Sequence, residues 1–443
     1  MTKDFDVIIV GAGLAGLSAG FELSEKGKQV LILESRNVIG GRTSSWTEDG
    51  MKVESGLHRF LGFYSALPNL LNRAGVDLNE MLYWEDEIEI RMPDGGPQGV
   101  FGASMIHKPI KTVTGFIGNN DLVTIQDKAS LSKFFAAGLK DYAANPTDLD
   151  QQTVLEYAQK HDVTDNAIKH VLIPLTAGIF FIPPEKYSMY ALMGLVGPYL
   201  PTMIKARIGA FQGGMTEVMC EPIAQKIKAS GGIFITGEGA EELILERDAV
   251  TGVKTKKNTY TAADTIVATS LVPAQKLIGK SIPNHAGFQD MLKLPSMPAV
   301  TIQFELTERS MEVDRTTFGP LTSWASFAEQ NFSTFKHVPG RLSVILTPAD
   351  EIIKMTDKEI YALAIKDGKR LGIDIEDKIK QFRITRIPHD FYALTPGNEA
   401  LRPTQATPVA GLTLAGDFTK QPNLATMEGA VVSGKIASEI ILQ

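Results

Sequence analysis

The feature that most constrains this chain is a glycine-rich segment between its first predicted strand and its first predicted helix. Asp6–Val10 is a short run of β-branched and apolar residues, which is typical of a strand buried on both faces. Gly11, Gly13 and Gly16 follow in the spacing G-x-G-x-x-G, and a helical pattern continues to about Lys26. Such a turn places backbone N–H groups and the positive end of a helix dipole next to a bound phosphate.

The residue that ends the second predicted strand supports the same interpretation. Gln29–Leu33 forms that strand, and Glu34 follows it, about 20 residues beyond the glycines. A carboxylate at this point can accept hydrogen bonds from the ribose hydroxyls of a dinucleotide. A lone glycine motif is weak evidence, but strand, glycines, helix and acid together predict a Rossmann-like nucleotide-binding unit.

Two further segments favour FAD over NAD. Gly40, Gly41 and Arg42 offer a second close approach to an extended dinucleotide. Near the end of the chain, the predicted strand Leu412–Ala415 leads through a glycine to Asp417. Its carboxylate can accept hydrogen bonds from a ribityl chain, which NAD lacks; the alternative is that it only caps a helix or turn. The next predicted helix, 425–441, would point its first amides at the flavin ring and stabilise negative charge there.

Composition and charge exclude several classes of protein. Of the 443 residues, 44% are apolar and 21% are charged, which is ordinary for a globular chain and excludes disordered, collagen-like and coiled-coil proteins. The net charge is −7 and no basic stripe occurs, so we expect no nucleic-acid partner. The single Cys220 excludes an internal disulfide and fits a reducing compartment. The seven histidines show no metal-ligand spacing, so we predict no metal site.

The most apolar stretch of the chain, Met189–Ile204, is too short and too interrupted to span a bilayer. Gly194, Gly197 and two prolines break it, and a spanning helix needs roughly 20 apolar residues. We interpret it first as a buried helix with a turn, and alternatively as a peripheral membrane contact through which an oily substrate enters. Since no signal-peptide pattern is present, we expect a cytoplasmic protein, membrane-associated under the second interpretation.

The order of the predicted elements indicates an α/β fold whose nucleotide domain is interrupted and then resumed. Residues 1–85, 206–285 and 396–443 are expected to form a Rossmann-like FAD-binding domain with a mixed sheet. Residues 86–205 and 286–395 are expected to form an interleaved α+β substrate-binding domain with a helical part, 128–205. Further predicted elements are strands at 233–236, 242–246, 262–268, 298–306 and 342–347, and helices at 215–229 and 357–371.

Three sequence blocks carry a resemblance to a known family. The first is the glycine fingerprint through Arg42, and the second, residues 54–64, reads E-S-G-L-H-R-F-L-G-F-Y. The third comprises residues 415–421, A-G-D-F-T-K-Q, and residues 427–434, M-E-G-A-V-V-S-G. In these blocks the chain resembles the flavin-dependent amine oxidase superfamily and, within it, the plant and cyanobacterial carotene desaturases that act on phytoene and zeta-carotene. The blocks span nearly the whole chain, although its middle matches only loosely.

The resemblance implies an amine-oxidase or desaturase-like architecture, a non-covalently bound FAD and a set of contacts to it. With the fingerprint, the implied FAD-binding residues are Gly11, Ala12, Gly13, Leu14, Ala15, Gly16, Glu34, Ser35, Arg36, Gly40, Gly41, Arg42, Thr43, Gly56, Leu57, His58, Ala240, Thr269, Gly416, Asp417, Thr426 and Met427. Ala240 is expected near the adenine, at the end of the strand predicted at 233–236. No protein side chain is assigned a catalytic role, because flavin N5 is the expected hydride acceptor.

Some positions depart from the family or bear on its chemistry. Amine oxidases commonly carry an aromatic-cage tyrosine where this chain has Thr426, so amine oxidation is disfavoured. Ser270 replaces a frequent flavoprotein glycine and removes the freedom for a close backbone approach. Cys220 is far in sequence from the flavin block, so no covalent flavin link is expected. His58 is interpreted as bonded to backbone in a packed turn, with proton handling as the alternative.

We therefore expect an FAD-dependent oxidoreductase that removes hydride from an allylic C–H of a long apolar isoprenoid, such as a carotene. Because the resulting allylic cation is delocalised, a strong protein base is not obligatory. The expected electron acceptor is a quinone or oxygen. Alternatives are a hydroxysqualene dehydroxylase-like enzyme, an amine oxidase, a protoporphyrinogen oxidase, and a flavin-binding or lipid-carrying protein without catalytic activity.

Overall fold

The computed structural model describes residues 4–107 and 120–443, whose strands form two large sheets and two small ones. The strands are β1 (Phe5–Val10), β2 (Val30–Glu34), β3 (Ser45–Glu48), β4 (Met51–Glu54), β5 (Phe60–Leu61), β6 (Leu82–Glu85), β7 (Glu87–Arg91), β8 (Gln98–Gly102), β9 (Ile208–Phe211), β10 (Ile233–Thr236), β11 (Ala240–Glu246), β12 (Ala249–Thr255), β13 (Thr259–Val267), β14 (Ser296–Leu306), β15 (Thr316–Phe318), β16 (Trp324–Glu329), β17 (Gly340–Leu346), β18 (Ile379–Tyr392) and β19 (Leu412–Leu414).

Helices cover the sheets and fill most of the chain between β8 and β9. The α-helices are Leu14–Glu25, Ala66–Arg73, Leu78–Met81, Ile125–Ala144, Pro146–Asp150, Val154–Lys160, Asp165–Ala167, Ile173–Phe180, Met189–Gly194, Glu221–Ala229, Leu271–Ser281, Gln289–Lys293, Ala349–Ile352, Asp357–Arg370 and Met427–Leu442. Short 3₁₀ turns lie at Gly41–Thr43, Gly197–Lys205, Ala286–Phe288, Gln330–Phe332, Glu376–Lys378 and Glu399–Leu401, and π turns at Ile168–Leu172 and Thr216–Cys220.

The first large sheet has the strand order β10-β2-β1-β13-β12-β11, with β19 beside the carboxyl half of β13. Strands β10, β2, β1, β13 and β19 are parallel, so their carboxyl ends share one edge. Strands β11 and β12 extend the sheet as an antiparallel meander. Open sheets of this kind bind ligands at the carboxyl ends of their parallel strands.

Two helices from opposite ends of the chain cover this sheet together. Leu14–Glu25 packs against Met427–Leu442, and a Cβ at Gly434 would lie 2.1 Å from the carbonyl oxygen of Ala15. The hydroxyl of Ser18 donates to the carbonyl of Val431 at 2.8 Å. The end of the chain is thereby fixed against the glycine loop at its beginning.

The second large sheet has the order β18-β14-β17-β16-β15-β7-β8. Its core contains the fully buried Trp324, whose indole N–H donates to the carbonyl of Ala364 in the helix Asp357–Arg370 at 3.0 Å. Strand β18 is an edge strand, paired with β14 alone. The chain enters this sheet at β7, leaves it through the helical part and returns at β14.

The predicted α/β class with a mixed sheet is confirmed, and most predicted strands and helices occur within one or two residues of their expected bounds. Residues 128–205 are largely helical, but the long helix begins at Ile125 with a capping box between Thr124 and Asp127. The division into domains stays a prediction. The strands of the first sheet fall at residues 5–34, 233–267 and 412–414, inside the segments expected for the nucleotide domain.

The structure differs from the predictions in three local details. The helix predicted at 215–229 occurs, but its first part, Thr216–Cys220, is π-helical and precedes the α-helix Glu221–Ala229. Ala240 does not end β10; that strand stops at Thr236, and Ala240 opens β11. Strand β18, the longest of the second sheet, was not predicted at all. Within the described ranges no helix is long and apolar enough to cross a membrane.

Candidate cofactor and active site

The glycine fingerprint lies at the carboxyl end of β1 and is built for close backbone contact. Gly11 has a φ of 108°, and a Cβ there would lie 2.9 Å from the carbonyl oxygen of Ala268. A Cβ at Gly16 would lie 2.0 Å from the carbonyl oxygen of Gly11, so the helix rests directly on the turn. Gly13 caps the helix without a side-chain hydrogen bond, and its would-be Cβ meets only the Cα of Gly41, at 4.0 Å. Space for a phosphate therefore remains where the helix begins; Ala12, Leu14 and Ala15 complete this loop.

Glu34 lies beside the fingerprint, at the carboxyl end of β2. Its carboxylate accepts from the backbone N–H of Ala12 and of Arg36, both at 2.9 Å, and from the hydroxyl of Ser35 at 3.2 Å. The side chain is buried. The turn that follows β10 packs on the same place, because the N–H of Glu238 donates to the carbonyl of Glu34 at 3.0 Å. The structure thus brings the predicted ribose-binding acid to the glycine loop.

The glycine pair that follows β2 packs against the fingerprint loop. Gly40 donates its N–H to the carbonyl of Ala12 at 2.9 Å, and a Cβ at Gly41 would lie 3.2 Å from the Cα of Gly13. Both glycines have positive φ, 108° and 58°. Thr43 closes this turn by donating its hydroxyl to the carbonyl of Gly40 at 2.9 Å. The pair therefore packs against the phosphate loop, in addition to offering the close approach to the dinucleotide that the sequence predicted.

Arg42 joins this turn to the other end of the chain. Its guanidinium forms an ion pair with the Oδ1 of Asp417 at 2.5 Å, and its side chain keeps 30% of its exposure. The Oδ2 of Asp417 is buried and has no hydrogen-bond partner in the described part of the chain. A buried carboxylate oxygen without a donor is costly. A ligand hydroxyl that donates to it would satisfy this oxygen.

The backbone around Asp417 is held by a residue whose role the sequence did not reveal. Arg402 is fully buried and donates to the carbonyls of Asp417 at 3.3 Å and Phe418 at 3.2 Å, and also to that of Thr419. Its second partner is the carboxylate of Glu399, at 2.8 Å. The donors of Arg402 are therefore used to fix the loop that carries Asp417.

The block at 54–58 connects the two sheets. Gln303, on β14, accepts from the N–H of Glu54 at 3.2 Å and donates to its carbonyl at 2.8 Å. Ser55 donates its hydroxyl to the carbonyl of Arg42 at 2.5 Å. Gly56 is buried and Leu57 half-buried, so the block lies between the fingerprint side and the second sheet.

His58 is a neutral histidine bonded to backbone. Burial, and to a lesser extent the nearby Arg42, lowers its pKa to about 4 against the raising effect of the hydrogen bond to Gly56. Its Nδ1 donates to the carbonyl of Gly56 at 3.1 Å, which leaves Nε2 as an acceptor. The expected packed-turn histidine fits this geometry, and at neutral pH its only N–H is committed to backbone.

Thr269, Gly416 and the fingerprint meet at the carboxyl edge of the first sheet. A Cβ at Gly11 would lie 3.1 Å from the N of Thr269, and a Cβ at Gly416 would lie 3.4 Å from its carbonyl oxygen. Gly416 has a φ of 143° and donates its N–H to Ser433 at 2.8 Å. Ala240 is half-buried at the start of β11 and directly follows Gly239, at which a Cβ would lie 3.1 Å from the Cβ of Ser35.

Thr426 and Met427 begin the last helix. The Oγ1 of Thr426 accepts from the N–H of Gly429 at 3.0 Å and donates to the carbonyl of Asn423 at 2.7 Å, so Thr426 is the N-cap. Tyr64 and Tyr199 lie beside it, with ring centroids 6.1 Å apart. The position itself lacks an aromatic side chain, as predicted, but two tyrosines from other segments flank it.

Glu428 is a second residue that sequence reasoning missed. Its buried carboxylate accepts from the N–H groups of Ser65, Ala66 and Leu67 at 2.6–2.8 Å. It thereby caps the helix Ala66–Arg73 from the last helix, and the negative charge suits that helix end. The M-E-G-A sequence carries a structural link to the segment that follows the block at 54–64. The available sequence signal for this role was an acidic residue, Glu428, in an otherwise buried helical turn.

The sequence predicts neither a covalent flavin link through Cys220 nor a metal site. Burial raises the pKa of the Cys220 thiol to about 12, and the side chain packs beside Thr43 and Gly40 as a small apolar group. No group of three or more potential metal ligands occurs in residues 4–107 and 120–443.

Known proteins resemble this chain along its whole length. A family model described as flavin containing amine oxidoreductase matches residues 14–442. The 15-cis-phytoene desaturase of Synechococcus elongatus is 27% identical over 98% of this chain and 95% of its own length. The zeta-carotene desaturase of Synechocystis is 28% identical over 98% of this chain and 97% of its own. The 15-cis-phytoene desaturase of Arabidopsis thaliana is 28% identical over 100% of this chain and 80% of its own length.

Solved structures share the fold. An oxidoreductase from Methanosarcina mazei superposes with a TM-score of 0.75 and 17% identity, covering 98% of this chain and 100% of that one. Wild-type putrescine oxidase bound to putrescine superposes with a TM-score of 0.75 and 16% sequence identity, covering 99% of each chain. The amine-oxidase-like fold predicted from the sequence is confirmed.

Proposed function

The chain belongs to the flavin containing amine oxidoreductase family, and we propose that it is an FAD-dependent desaturase of a long apolar isoprenoid. The observation that carries this proposal is the similarity to phytoene and zeta-carotene desaturases across nearly the full length of the chain and of the cyanobacterial relatives. Thr426, in place of a cage tyrosine, supports a hydrocarbon over an amine as substrate.

The residues at the carboxyl edge of the first sheet fit FAD. The open space at Gly13 suits the pyrophosphate, and Glu34 suits the adenosine ribose. The unpartnered Oδ2 of Asp417 suits a ribityl hydroxyl. The buried, protonated thiol of Cys220 supports non-covalent binding. The remaining contacts inferred from the sequence stay proposals, including Ala240, which follows the turn that packs on Ser35.

A bound flavin would supply two-electron oxidation of the substrate, and the chain would position the substrate and exclude water. Thr426 and His58 present uncharged surfaces, since one caps a helix and the other is neutral. Uncharged side chains at these two positions suit an apolar substrate, because an unpaired buried charge there would cost free energy. We propose a quinone or oxygen as the final electron acceptor, on the resemblance alone.

Purified protein should be yellow, and acid or heat should release FAD, not FMN or NAD. Under anaerobic conditions the flavin absorbance should bleach with a C30 or C40 isoprenoid presented in detergent or liposomes. Benzylamine, polyamines and amino acids should not bleach it. Product analysis by chromatography then distinguishes a new double bond from loss of a hydroxyl. Bleaching by amines would contradict the proposed function and favour an amine oxidase. A flavin that no lipid bleaches would contradict it as well and favour a non-catalytic carrier.

We also propose a peripheral membrane contact, at the end of the apolar stretch and not along all of it. Leu192 lies in the core with 1% exposure, whereas Leu200 and Ile204 are 50% and 62% exposed on the turn Gly197–Lys205. The exposed Lys205 adjoins them. Two exposed aliphatic side chains beside a cation suit the interface of a lipid bilayer.

Replacing Leu200 and Ile204 together by Asp should weaken liposome association at least about tenfold, because each aliphatic side chain contributes roughly 1.5–3 kcal/mol when buried. Liposome flotation measures this. Leu321→Asp is the matched control, because Leu321 is 50% exposed elsewhere and has a φ of 64°, which Asp tolerates. Equal flotation of the double variant and the wild type would show that this turn is not the contact.

A further inference from the structure

Asp390 occupies an irregular place in the second sheet. In the pairing of β18 with β14, Phe391 lies opposite Met297 but Ile387 lies opposite Ala299. Three residues of β18 therefore face one residue of β14. Such a bulge bends the strand and redirects the side chains within it, and bulges are frequent next to active sites.

The residues around the bulge are directed to different places. His389 is exposed and its Nδ1 lies 2.8 Å from the hydroxyl of Ser296. Phe391 is buried, with ring centroids 6.2 Å from Phe180 and 5.9 Å from Phe181. Asp390 is half-buried, and its carboxylate has no hydrogen-bond or ion-pair partner among the described residues.

Asp390 lies close to the ion pair of Arg42 and Asp417. Burial, which raises the pKa of Asp390 most, leaves it at about 6 together with the nearby Arg42, which lowers it, and Asp417, which raises it. Asp390 belongs to the second sheet, near the end of β18, whereas Asp417 follows β19 of the first sheet. Asp390 therefore approaches the proposed flavin site from the side of the second sheet.

We propose that Asp390 accepts the proton that leaves the substrate during desaturation, an inference that rests on the proposed function. Hydride leaves the allylic carbon with its electron pair and passes to the oxidised flavin, the two-electron oxidant. The C–H bond of the adjacent carbon then breaks, its electron pair becomes the new double bond, and the proton goes to a carboxylate oxygen of Asp390. A carboxylate near the developing cation also lowers its energy.

The other polar groups of the site are less suited to this role. His58 has its Nδ1–H committed to Gly56, and its low pKa makes it a poor proton acceptor. Asp417 is held by Arg42 and Arg402, and its free oxygen suits the cofactor. Glu54 is fully surrounded, with its carboxylate bonded to the N–H of Met215. Asp390 alone among these combines partial exposure with a carboxylate that has no partner among the described residues.

The first test does not depend on turnover. Infrared difference spectra of the flavin-loaded protein should show a protonated carboxyl band that grows as the pH falls through about 6. The part of the band that titrates near 6 should be missing in Asp390→Asn and present in Asp377→Asn, which removes an exposed carboxylate near the start of the same strand. Glu54, whose pKa burial raises to about 7, contributes equally to the spectra of both variants. A band unchanged in Asp390→Asn would overturn the assignment, because Asp390 would then not titrate in this range.

The second test measures proton transfer itself. The rate at which the new double bond forms in an anaerobic single turnover with the isoprenoid, measured by rapid quenching and chromatography, should rise with pH through about 6 and then level off. Asp390→Asn should lower the plateau about tenfold, below the usual 10²–10⁴ for general bases because the cation is activated, and should remove the inflection. Asp390→Glu should restore part of the rate, and Asp377→Asn should behave as the wild type.

Isotopic substitution separates this role from a structural one. Deuterium at the carbon that loses the proton should slow Asp390→Asn, in which proton loss becomes limiting, more than the wild type. A wild-type rate, pH profile and isotope effect in Asp390→Asn would overturn the inference while the proposed function stands. A wild-type flavin that no isoprenoid bleaches would overturn the proposed function first, and the inference with it.

Discussion

Glu34→Ala should raise the dissociation constant for FAD by about 100-fold, since an unpaired buried donor costs roughly 1–3 kcal/mol and 1.4 kcal/mol is tenfold. The carboxylate accepts from the N–H groups of Ala12 and Arg36 and would also accept from the ribose. The substitution removes the ribose acceptors and leaves the two backbone donors without this partner. Titration of apoprotein with FAD, followed by flavin fluorescence, measures the effect.

Two variants make this result specific. Glu34→Gln keeps one acceptor oxygen and should lose less affinity, whereas Glu246→Ala, at the exposed end of another strand of the same sheet, should bind FAD normally. Unchanged affinity in Glu34→Ala would show that the dinucleotide does not lie along the carboxyl edge of β2. The Rossmann-like part of the proposal would then need a different orientation of the cofactor.

The nucleotide half of the fold could be predicted because its rules are local. A strand, three spaced glycines, a helix and an acid are all contained in residues 5–34. The steric need for Gly16 is equally local, because a Cβ there would strike the carbonyl of Gly11, whereas the need for Gly11 comes from Ala268 at the end of β13. Short-range sequence patterns encode such units well.

The links between distant segments could not be read from any local pattern. Arg42 and Asp417 are 375 positions apart and form one ion pair. Glu428 caps a helix that begins at Ala66. In the local sequence, Arg42 is the neighbour of a glycine pair, Asp417 is a ribityl acceptor and Glu428 is one residue of a helix. Only the tertiary fold shows which partner each one has.

Strand β18 and its bulge escaped prediction for a different reason. It is an edge strand, and its sequence I-K-Q-F-R-I-T-R-I-P-H-D-F-Y places charged residues and a proline among apolar ones. Charges and proline are common on sheet edges because they prevent further pairing, but they also obscure the period of a strand. The expectation that a strong protein base is not obligatory rested on the delocalised cation, and the sequence alone offered no candidate base, because the place of Asp390 depends on the bulge.

Thr426→Tyr should slow flavin reduction by the isoprenoid more than about tenfold, because a large side chain beside the reacting atoms displaces the substrate. Tyr64 and Tyr199 already flank this position, so a third phenol has little room. FAD binding should survive, since the proposed contacts at Glu34 and Asp417 are unchanged. Anaerobic stopped-flow absorbance measures the rate, and the flavin content of the purified variant measures binding.

The N-cap role of Thr426 requires that crowding be separated from loss of the cap. Thr426→Ser keeps the Oγ that accepts from Gly429 and should retain both rate and stability. Thr426→Ala removes the cap without adding bulk; it should lose about 1 kcal/mol of unfolding free energy but keep most of the rate. A slow Thr426→Ala would assign the effect to the helix end, and with it to the amides that face the flavin. A Thr426→Tyr variant that reacts at the wild-type rate would show that the hydrocarbon does not pass this point. A wild type that rapidly oxidises amines would contradict the hydrocarbon as substrate. Only the slow Thr426→Tyr with normal Ser and Ala variants identifies Thr426 as the opening that admits a flat polyene.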